Sequence, residues 1–336
     1  MALADIEKQY NLMSEATQIL QEQLGDDYLD ALIENFDNLL NDGQVHVEDG
    51  LPDEKAQARL SEIYQAVDVE HLANKDRRLL LQLSLIFAYR KEKIQANHQL
   101  TPDAIGFLAA YLLKQVYHNK KATKMLDLGI GTGNLTATLI ESLTEADYQN
   151  IHAFGVDNDD TLLAIASLQA ELENLQLDLY HQDALDQLVV PQVDLIVSDL
   201  PIGYYPLDEK AKQYASHFEK GHSYAHFLLI EQGMRQLKAD GIGMFLVPAG
   251  IFEDENSLPL LKEIQAQGYL QALINLPSNL FTSKHSEKAI LLLQKKGPKA
   301  KQAQPVLLGD FPLIKDQEKF AKFMAEVDLW QKKNFS

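Results

Sequence analysis

The sequence predicts an α/β protein, a largely parallel sheet covered by helices, with a small α-helical domain ahead of it. Three observations carry this. Through residues 1–98 apolar side chains recur at helical spacing, with no glycine turn chemistry to suggest strands. From about residue 99, short apolar runs rich in β-branched residues alternate with helical patterns, as expected for a sheet with helices on both faces. The run MLDLGIGTGNL, residues 125–135, sets Gly129, Gly131 and Gly133 directly after such a strand and before a helical segment.

In the helical part, IEKQYNLMSEATQIL and DDYLDALIENFDNLL, the latter following Gly25, carry the spacing of amphipathic helices. LPDEKAQARLSEIYQAV reads as a third helix with Pro52 near its start, and DRRLLLQLSLIFAYRKEKI as a fourth, more buried one. No residue there suggests chemistry; the domain could serve as an interaction surface or a cap. TPDAIGFLAAYLLKQVY then opens a helix with Thr101 as its cap and Pro102 at its first position. KMLDLGI, IHAFGVD, LQLDLYHQD, VDLIVSDLP, GIGMFLVP, LQALINLP and KAILLLQKKG read as strands. Between them NLTATLIESL, TLLAIASLQAELEN, AHFLLIEQGMRQLKADG (closed by Gly241) and SLPLLKEIQAQG read as helices. The last two strands follow each other without a helix, which predicts an antiparallel edge strand. Beyond Pro312 the chain is charged, with a short helical pattern ending near Trp330. The expected divisions are residues 1–98, 99–312 and a helical tail, 313–336.

The composition, 46% hydrophobic and 24% charged over 336 residues, is that of a globular protein with a sizeable core. No apolar run nears the ~20 residues of a membrane span, and MALADIEKQY lacks the apolar stretch of a secretory leader, so no membrane partner and a cytoplasmic location are expected. With no cysteine, disulfides, thiolate metal sites and cysteine nucleophiles drop out together. The net charge of −19 argues against strong unaided binding to nucleic acid. Residues 1–98 carry 19 acidic and 9 basic side chains, so they are the less suited nucleic-acid surface. The basic run KKGPKAK, 295–301, reads as a solvated turn after the final strand.

Glycines at the first strand end let the backbone turn tightly and approach a ligand closely. The second strand ends at Asp157, 24 positions after Gly133, where a carboxylate can take both ribose hydroxyls. A pyrophosphate bound at a helix N-terminus disfavours a neighbouring carboxylate, yet Asp127 sits in the turn, which suits a ligand carrying an ammonium and a sulfonium. The pattern Asp127-x-Gly129-x-Gly131-x-Gly133 resembles the D-x-G-x-G-x-G motif of class I S-adenosylmethionine-dependent methyltransferases. That resemblance implies a Rossmann-like seven-stranded methyltransferase sheet and S-adenosylmethionine as cofactor. It also implies cofactor contacts from Asn134 and Leu135 at the next helix, Asp157 and Asn158, and Asp183 and Ala184 after the third strand, with Asp183 facing the adenine amino group.

Open parallel sheets bind ligands at the carboxyl ends of their strands. The fourth strand ends in SDLPIGYY, residues 198–205, which is similar to the (D/N/S)-P-P-(Y/F/W) motif of methyltransferases acting on amino groups attached to π systems. The resemblance implies that Asp199 and the Leu200 carbonyl accept hydrogen bonds from the target NH2 and that Pro201 stiffens the turn; Asp199 also borders the cofactor. Leu200 replaces the motif's first proline and Ile202 its stacking aromatic, leaving Tyr204 or Tyr205 as substitutes. LTPDAIGFLAAYLL resembles a segment of type I modification subunits, as do ADGIGMFLVPAGIF and LINLPSNLFTSKHSEKAILLLQKK, and that resemblance implies Thr101 and Pro102 at the cofactor's methionine end. Within that class the chain resembles the YtxK-like group, whose members also carry a helical N-terminal domain.

His181, His217, His222, His226 and His285 fall near this region without metal-ligand spacing; His222 and His226 are four apart but lack the intervening Glu of a zinc protease. No metal is expected, since methyl transfer from a sulfonium to an amine needs none. The polar span 206–223 is either a lid over the target pocket or a mobile connection without function. The leading expectation is an N6-adenine methyltransferase acting on nucleic acid, most simply DNA, with a separate subunit supplying specificity. The alternatives are N-methylation of glutamine or a small amine, and a catalytically weak cofactor-binding regulatory module.

Overall fold

The computed structural model describes residues 3–92, 100–313 and 315–335. In chain order it contains α1 (Leu3–Leu24), α2 (Tyr28–Leu40), α3 (Glu54–Ala66), α4 (Asn74–Lys91), α5 (Asp103–Val116), β1 (Thr123–Asp127), α6 (Asn134–Thr144), β2 (Ile151–Asp157), α7 (Asp160–Glu173) and β3 (Leu177–His181). There follow β4 (Val193–Asp199), α8 (Asp208–Ala211), α9 (Ala225–Gln236), β5 (Leu237–Pro248), α10 (Leu258–Gln267), β6 (Gly268–Asn275), β7 (Lys288–Lys295), β8 (Leu307–Asp310) and α11 (Gln317–Asn334). The chain divides into two compact units, one of residues 1–100, 131–133 and 159–175, the other of the remainder. The expected boundary at residue 98 lies outside the described residues.

The helical unit is built on the apolar faces of α1 to α4. Met13, Ala16, Leu20, Leu32, Phe36, Leu60, Leu81 and Leu85 share one core. Asp53 caps α3, accepting from the Ala56 N–H at 2.8 Å, so the helix starts just past Pro52. α7 lies between two strands in the sequence, but Ile165, Leu168 and Leu172 join the helical core. Its C-terminal carbonyls are met by α4: Arg77 donates to Leu172 O at 2.9 Å and Asn74 to Glu173 O at 3.0 Å, donors placed where the helix dipole is negative. One turn along α4, Arg78 pairs with Glu173 at 2.9 Å, their side chains 1% and 0% exposed. The sequence shows Arg77 and Arg78 as an ordinary charged helix start.

The second unit holds an eight-stranded sheet in the order β3-β2-β1-β4-β5-β7-β6-β8. The pairs β1–β2, β1–β4, β2–β3, β4–β5 and β6–β8 are parallel, while β7 runs antiparallel to both neighbours. Ala289 to Leu293 in β7 are buried without a break, so both faces of the sheet are covered there. The antiparallel strand is therefore central, not the expected edge. A chain that leaves β6 without a helix reverses, and inserting between β5 and β6 buries this run completely. The sheet also exceeds the expected seven strands. β8 adds in parallel to the free edge of β6, Leu307 opposite Ala272 through Asp310 opposite Asn275. Four residues, with Leu308 two-thirds exposed, are too few to show a period.

Three helix ends also differ from expectation. α9 stops at Gln236, because Leu237 already pairs with Val193 in β4. Gly241 lies inside β5, where a Cβ would come within 3.0 Å of the Asp194 and Lys238 carbonyl oxygens, so close approach and not capping requires it. The C-terminal helix is not short: α11 has 18 residues, buries Val327 and Trp330, and is tied by the indole N–H to Pro305 O at 2.9 Å. At the start of α5 the capping position is Pro102, and the Thr101 hydroxyl makes no cap. Two lysines of the basic run are internal ties: Lys295 donates to Met234 O at the end of α9, and Lys296 to Gln265 O and Ala266 O at the end of α10.

Arg78→Ala removes the cationic partner of the buried Glu173 carboxylate, leaving Gln169 as a neutral donor to it, and should cost about 3–5 kcal/mol of stability in denaturant unfolding. Arg78→Met combined with Glu173→Leu, which removes both charges at similar volume, should cost much less. Equal losses in the two variants would contradict this account of the pair.

Candidate active site

After β1 the chain goes to β2 and β3 on one side, and after β3 it returns to β4 on the other side of β1. The loops after β1 and β4 thus leave the sheet side by side at its topological switch point, the usual crevice for a ligand in such a sheet. A Cβ on Gly129 would lie 4.0 Å from Pro201 Cδ, which shows how closely the two loops approach.

The glycine loop is braced from beneath. Asp127 is buried, accepting from the Gly129 N–H at 3.2 Å on one oxygen and from the Thr136 hydroxyl at 2.9 Å on the other. The Ser198 hydroxyl of β4 accepts the Leu128 N–H at 2.8 Å, and Val156 O of β2 accepts the Ile130 N–H at 3.1 Å. Gly131 (φ +53°) and Gly133 (φ +80°) take left-handed conformations that a side chain would strain. The structure therefore places Asp127 as the brace of the loop. Burial pushes its carboxyl up to about 7, against the pull of its hydrogen bonds.

Asn134 and Leu135 are buried. Asn134 donates to Thr101 O at 2.6 Å and to Asp103 at 3.0 Å, fastening the start of α6 to the Thr101-Pro102 turn. At the end of β2, Asp157 is half-buried and Asn158 exposed. After β3, Ala184 is buried, while the Asp183 carboxylate accepts from Leu185 N–H at 2.9 Å, Tyr205 OH at 2.5 Å and Lys210 Nζ at 2.9 Å. These donors hold its acidity stronger than usual despite the opposing effect of burial.

At the end of β4 the structure brings Asp199, Thr101 and Lys288 together. Thr101 Oγ1 donates to one Asp199 oxygen at 2.8 Å, and Lys288 Nζ ion-pairs with the other. The Leu200 side chain is fully buried, and its N–H donates to Leu246 O at 3.1 Å. Tyr205 is buried, but Tyr204 is 62% exposed. Backbone pairing fixes the latter: Tyr205 N–H donates to Ser223 O and Ala225 N–H to Gly203 O, so Tyr204 faces Tyr224 across a β-bridge. The rings stack in three layers, Tyr204 on Tyr224 at 5.0 Å and Tyr224 on His226 at 5.1 Å. His226 bonds the Pro201 carbonyl, and burial lowers its imidazole to about 4, keeping it neutral.

The span 206–223 is tied to its surroundings by side-chain contacts. Lys210 pairs with Asp183 and Asp186, Tyr214 OH donates to Leu185 O, and the buried Glu231 carboxylate accepts from Ala215 N–H, Ser216 N–H and the Ser216 hydroxyl. The histidines serve separate partners, His181 the Asn158 carbonyl, His217 the Tyr214 carbonyl and His222 Asp208. The His285 side chain lies outside the described residues. Sequence reasoning missed Lys288, Tyr224 and the His226–Pro201 bond. Lys288 reads there as the polar start of a strand, and nothing local ties it to a residue 89 positions away.

Residues 85–332 match the model of the N-6 DNA methylase family and residues 7–88 that of the YtxK N-terminal helical domain. The Bacillus subtilis (strain 168) protein YtxK is 33% identical over 324 residues, covering 96% of this chain and 97% of its own. Among solved structures, a candidate class I S-adenosylmethionine-dependent methyltransferase of Listeria monocytogenes is 38% identical with a TM-score of 0.89, over 98% of this chain and all (100%) of that one. The methyltransferase subunit of a Streptococcus thermophilus type I restriction-modification system shares the fold at 16% identity and a TM-score of 0.64, over 94% of this chain and 74% of its own.

The raised Asp127 carboxyl has a consequence for stability. Its folded-state value lies above the unfolded one of 3.8, so between about pH 4 and about pH 7 the folded chain retains a proton that the unfolded chain releases. Stability from this group is present below that window and is lost as pH rises through it. Asp127→Asn keeps an acceptor for the Gly129 N–H without titrating. Melting temperatures across the window should show the wild type losing stability relative to the variant as pH rises; a constant difference would contradict the assignment.

Proposed function

This chain belongs to the N-6 DNA methylase family and carries a YtxK-type helical domain ahead of it, and from that premise we propose that it is an S-adenosylmethionine-dependent methyltransferase acting on the exocyclic amino group of adenine in nucleic acid, most simply DNA. The observation that carries this reading is the end of β4, where Asp199 precedes the Pro201 turn that approaches the glycine loop and the exposed Tyr204 ring is stacked on Tyr224. The resemblance of the glycine loop to methyltransferase motifs supports Asp157, Asn158, Asp183 and Ala184 at the nucleoside side of the cofactor. Thr101, Pro102 and the main chain of Gly129 to Leu135 would hold the methionine side. When bound, the cofactor supplies an electrophilic methyl group on a sulfonium.

The residues of this chain act by positioning. Tyr204 offers the planar surface that Ile202 cannot, and its backing by Tyr224 and His226 means the ring needs no reordering to receive a base. Asp199 and the Leu200 carbonyl accept the two N–H bonds of the target amine and aim its lone pair at the methyl carbon. Pro201, held through its carbonyl by His226, fixes the turn. Alignment of this kind accounts for much of the rate of a displacement between two bound partners. Specificity for a target sequence would come from a separate subunit, since the chain is strongly acidic. A planar glutamine amide fits the same acceptors. A cofactor-binding module without transfer is favoured by one observation, that both Asp199 oxygens already have donors.

Calorimetry with S-adenosylmethionine tests the cofactor, and absence of binding by the wild type would end this reading. Transfer of labelled methyl to DNA, RNA and protein pools tests the acceptor. Asp199→Ala should lower turnover on the order of a hundredfold, the value of a hydrogen bond to a charged acceptor. Tyr204→Ala should raise KM about tenfold, a stack being worth about 1–3 kcal/mol. Transfer unaffected by Asp199→Ala would refute the assigned acceptor site.

A further inference from the structure

We propose that Lys288 is a specificity determinant of the acceptor site, holding the charge of Asp199 balanced so that the site takes an electrically neutral, planar nitrogen and rejects ammonium groups. The inference rests on the reading of Asp199 as the acceptor-binding residue. A carboxylate beside an exposed aromatic ring is, by itself, a receptor for organic cations: the charge attracts them and the ring face adds a cation–π contribution. Asp199 and the exposed Tyr204 lie on one short segment of chain, and the carboxylate alone would attract a cation. Lys288 cancels that attraction. Its Nζ occupies the Asp199 oxygen opposite the one bound by Thr101, and both side chains of the pair are only about one-fifth exposed, 19% and 20%. Screening by water is weaker there than for a surface pair.

The ammonium is held by rigid structure. Lys288 is the first residue of β7, is paired with Pro248 of β5, and accepts the Leu276 N–H at 2.9 Å on its carbonyl. Two other titratable groups, His226 and Asp254, lie close by. His226 is neutral, and the positive charge of Lys288 is itself one reason. Asp254 keeps its negative charge, its oxygens taking the Tyr224 hydroxyl at 3.1 Å and the Asn256 N–H at 2.7 Å, so Lys288 balances Asp199 and not Asp254.

The consequence is a choice among acceptors. A lysine or arginine side chain, a polyamine or an alkylamine is positively charged near neutral pH. Such a group meets an ammonium already in place and is repelled by it. An amino group on a heteroaromatic ring, or an amide nitrogen, carries no charge. It can donate to Asp199 without displacing Lys288, because a carboxylate offers about four acceptor positions and two are taken. Of the acceptor classes considered above, nucleobase amines and glutamine amides remain and small aliphatic amines fall away.

Calorimetric titration of the full chain with propylammonium chloride, at fixed ionic strength, tests this without relying on methyl transfer. Lys288→Met and Lys288→Gln, each checked for folding by thermal unfolding, should bind propylammonium about tenfold or more tighter than the wild type, as expected for an unmasked, partly buried carboxylate. Lys288→Arg should match the wild type, and the gain should vanish in Lys288→Met/Asp199→Asn. In transfer assays the Met and Gln variants should shift activity from adenine toward alkylamines. No gain in cation binding by either variant, or a gain that survives Asp199→Asn, would overturn the assignment. Failure of the wild type to bind S-adenosylmethionine or to transfer methyl would instead refute the methyltransferase reading, and the propylammonium comparison would still report on Lys288.

Discussion

One buried carboxylate organises the centre of the sheet. Asp127 closes β1, and its two oxygens reach forward to the Gly129 N–H and across to the Thr136 hydroxyl of α6. Without an acceptor there, a buried amide and a buried hydroxyl would lose their partner at the point where the chain makes its tightest turn. The Ser198 hydroxyl performs the matching task from β4 by taking the Leu128 N–H. The first and fourth strand ends are thereby locked to each other at the switch point, and the glycine loop and the Asp199–Tyr204 segment both extend from these two ends. The raised affinity of Asp127 for its proton is the cost of putting a carboxylate where water does not reach.

Below this brace the fold was largely legible from pattern alone. Alternating runs located the seven longer strands, and the 3.6-residue recurrence located α1 to α4, because in each case one face or both must be apolar for the element to pack. What sequence could not show was pairing between distant residues. β7 is an apolar run wherever it sits; only the geometry of its neighbours makes it central. Thr101 has the residue type of a helix cap, yet Pro102 holds the capping position and the Thr101 hydroxyl donates to the Asp199 carboxylate instead of accepting from a helix N–H. In the candidate site the glycine loop was legible through its spacing, and Asp199 through its place at a strand end. Lys288, Tyr224 and the role of His226 were not, since each acts through a partner supplied by another element.

The two units do not follow the order of the chain. α7 is flanked by β2 and β3, but its apolar face belongs to the helical core, and α4 supplies both the donors for its last carbonyls and the arginine that balances Glu173. A helix in the middle of the sheet sequence is thus a structural member of the N-terminal unit. A buried ion pair such as Arg78–Glu173 contributes little net stability against an apolar alternative, but it penalises any packing that separates its members. It favours one seating of α4 on α7 over others that would bury similar apolar area.

The most basic stretch of the sequence is not what its composition suggests. Lys295 and Lys296 are bound to the carbonyl ends of α9 and α10, so their donors face the protein and not an external polyanion. Polyanion binding by lysines draws its strength from the release of condensed counterions, and each phosphate neutralised steepens the dependence of affinity on salt by about one unit of logarithmic slope. Two of the four ammonium groups in the run are committed in this way, while Lys299 and Lys301 are exposed, so the run displaces fewer counterions than its lysine count implies. Any grip this stretch has on a charged polymer should therefore depend on ionic strength less steeply than its full set of lysines would give, the dependence being carried by Lys299 and Lys301.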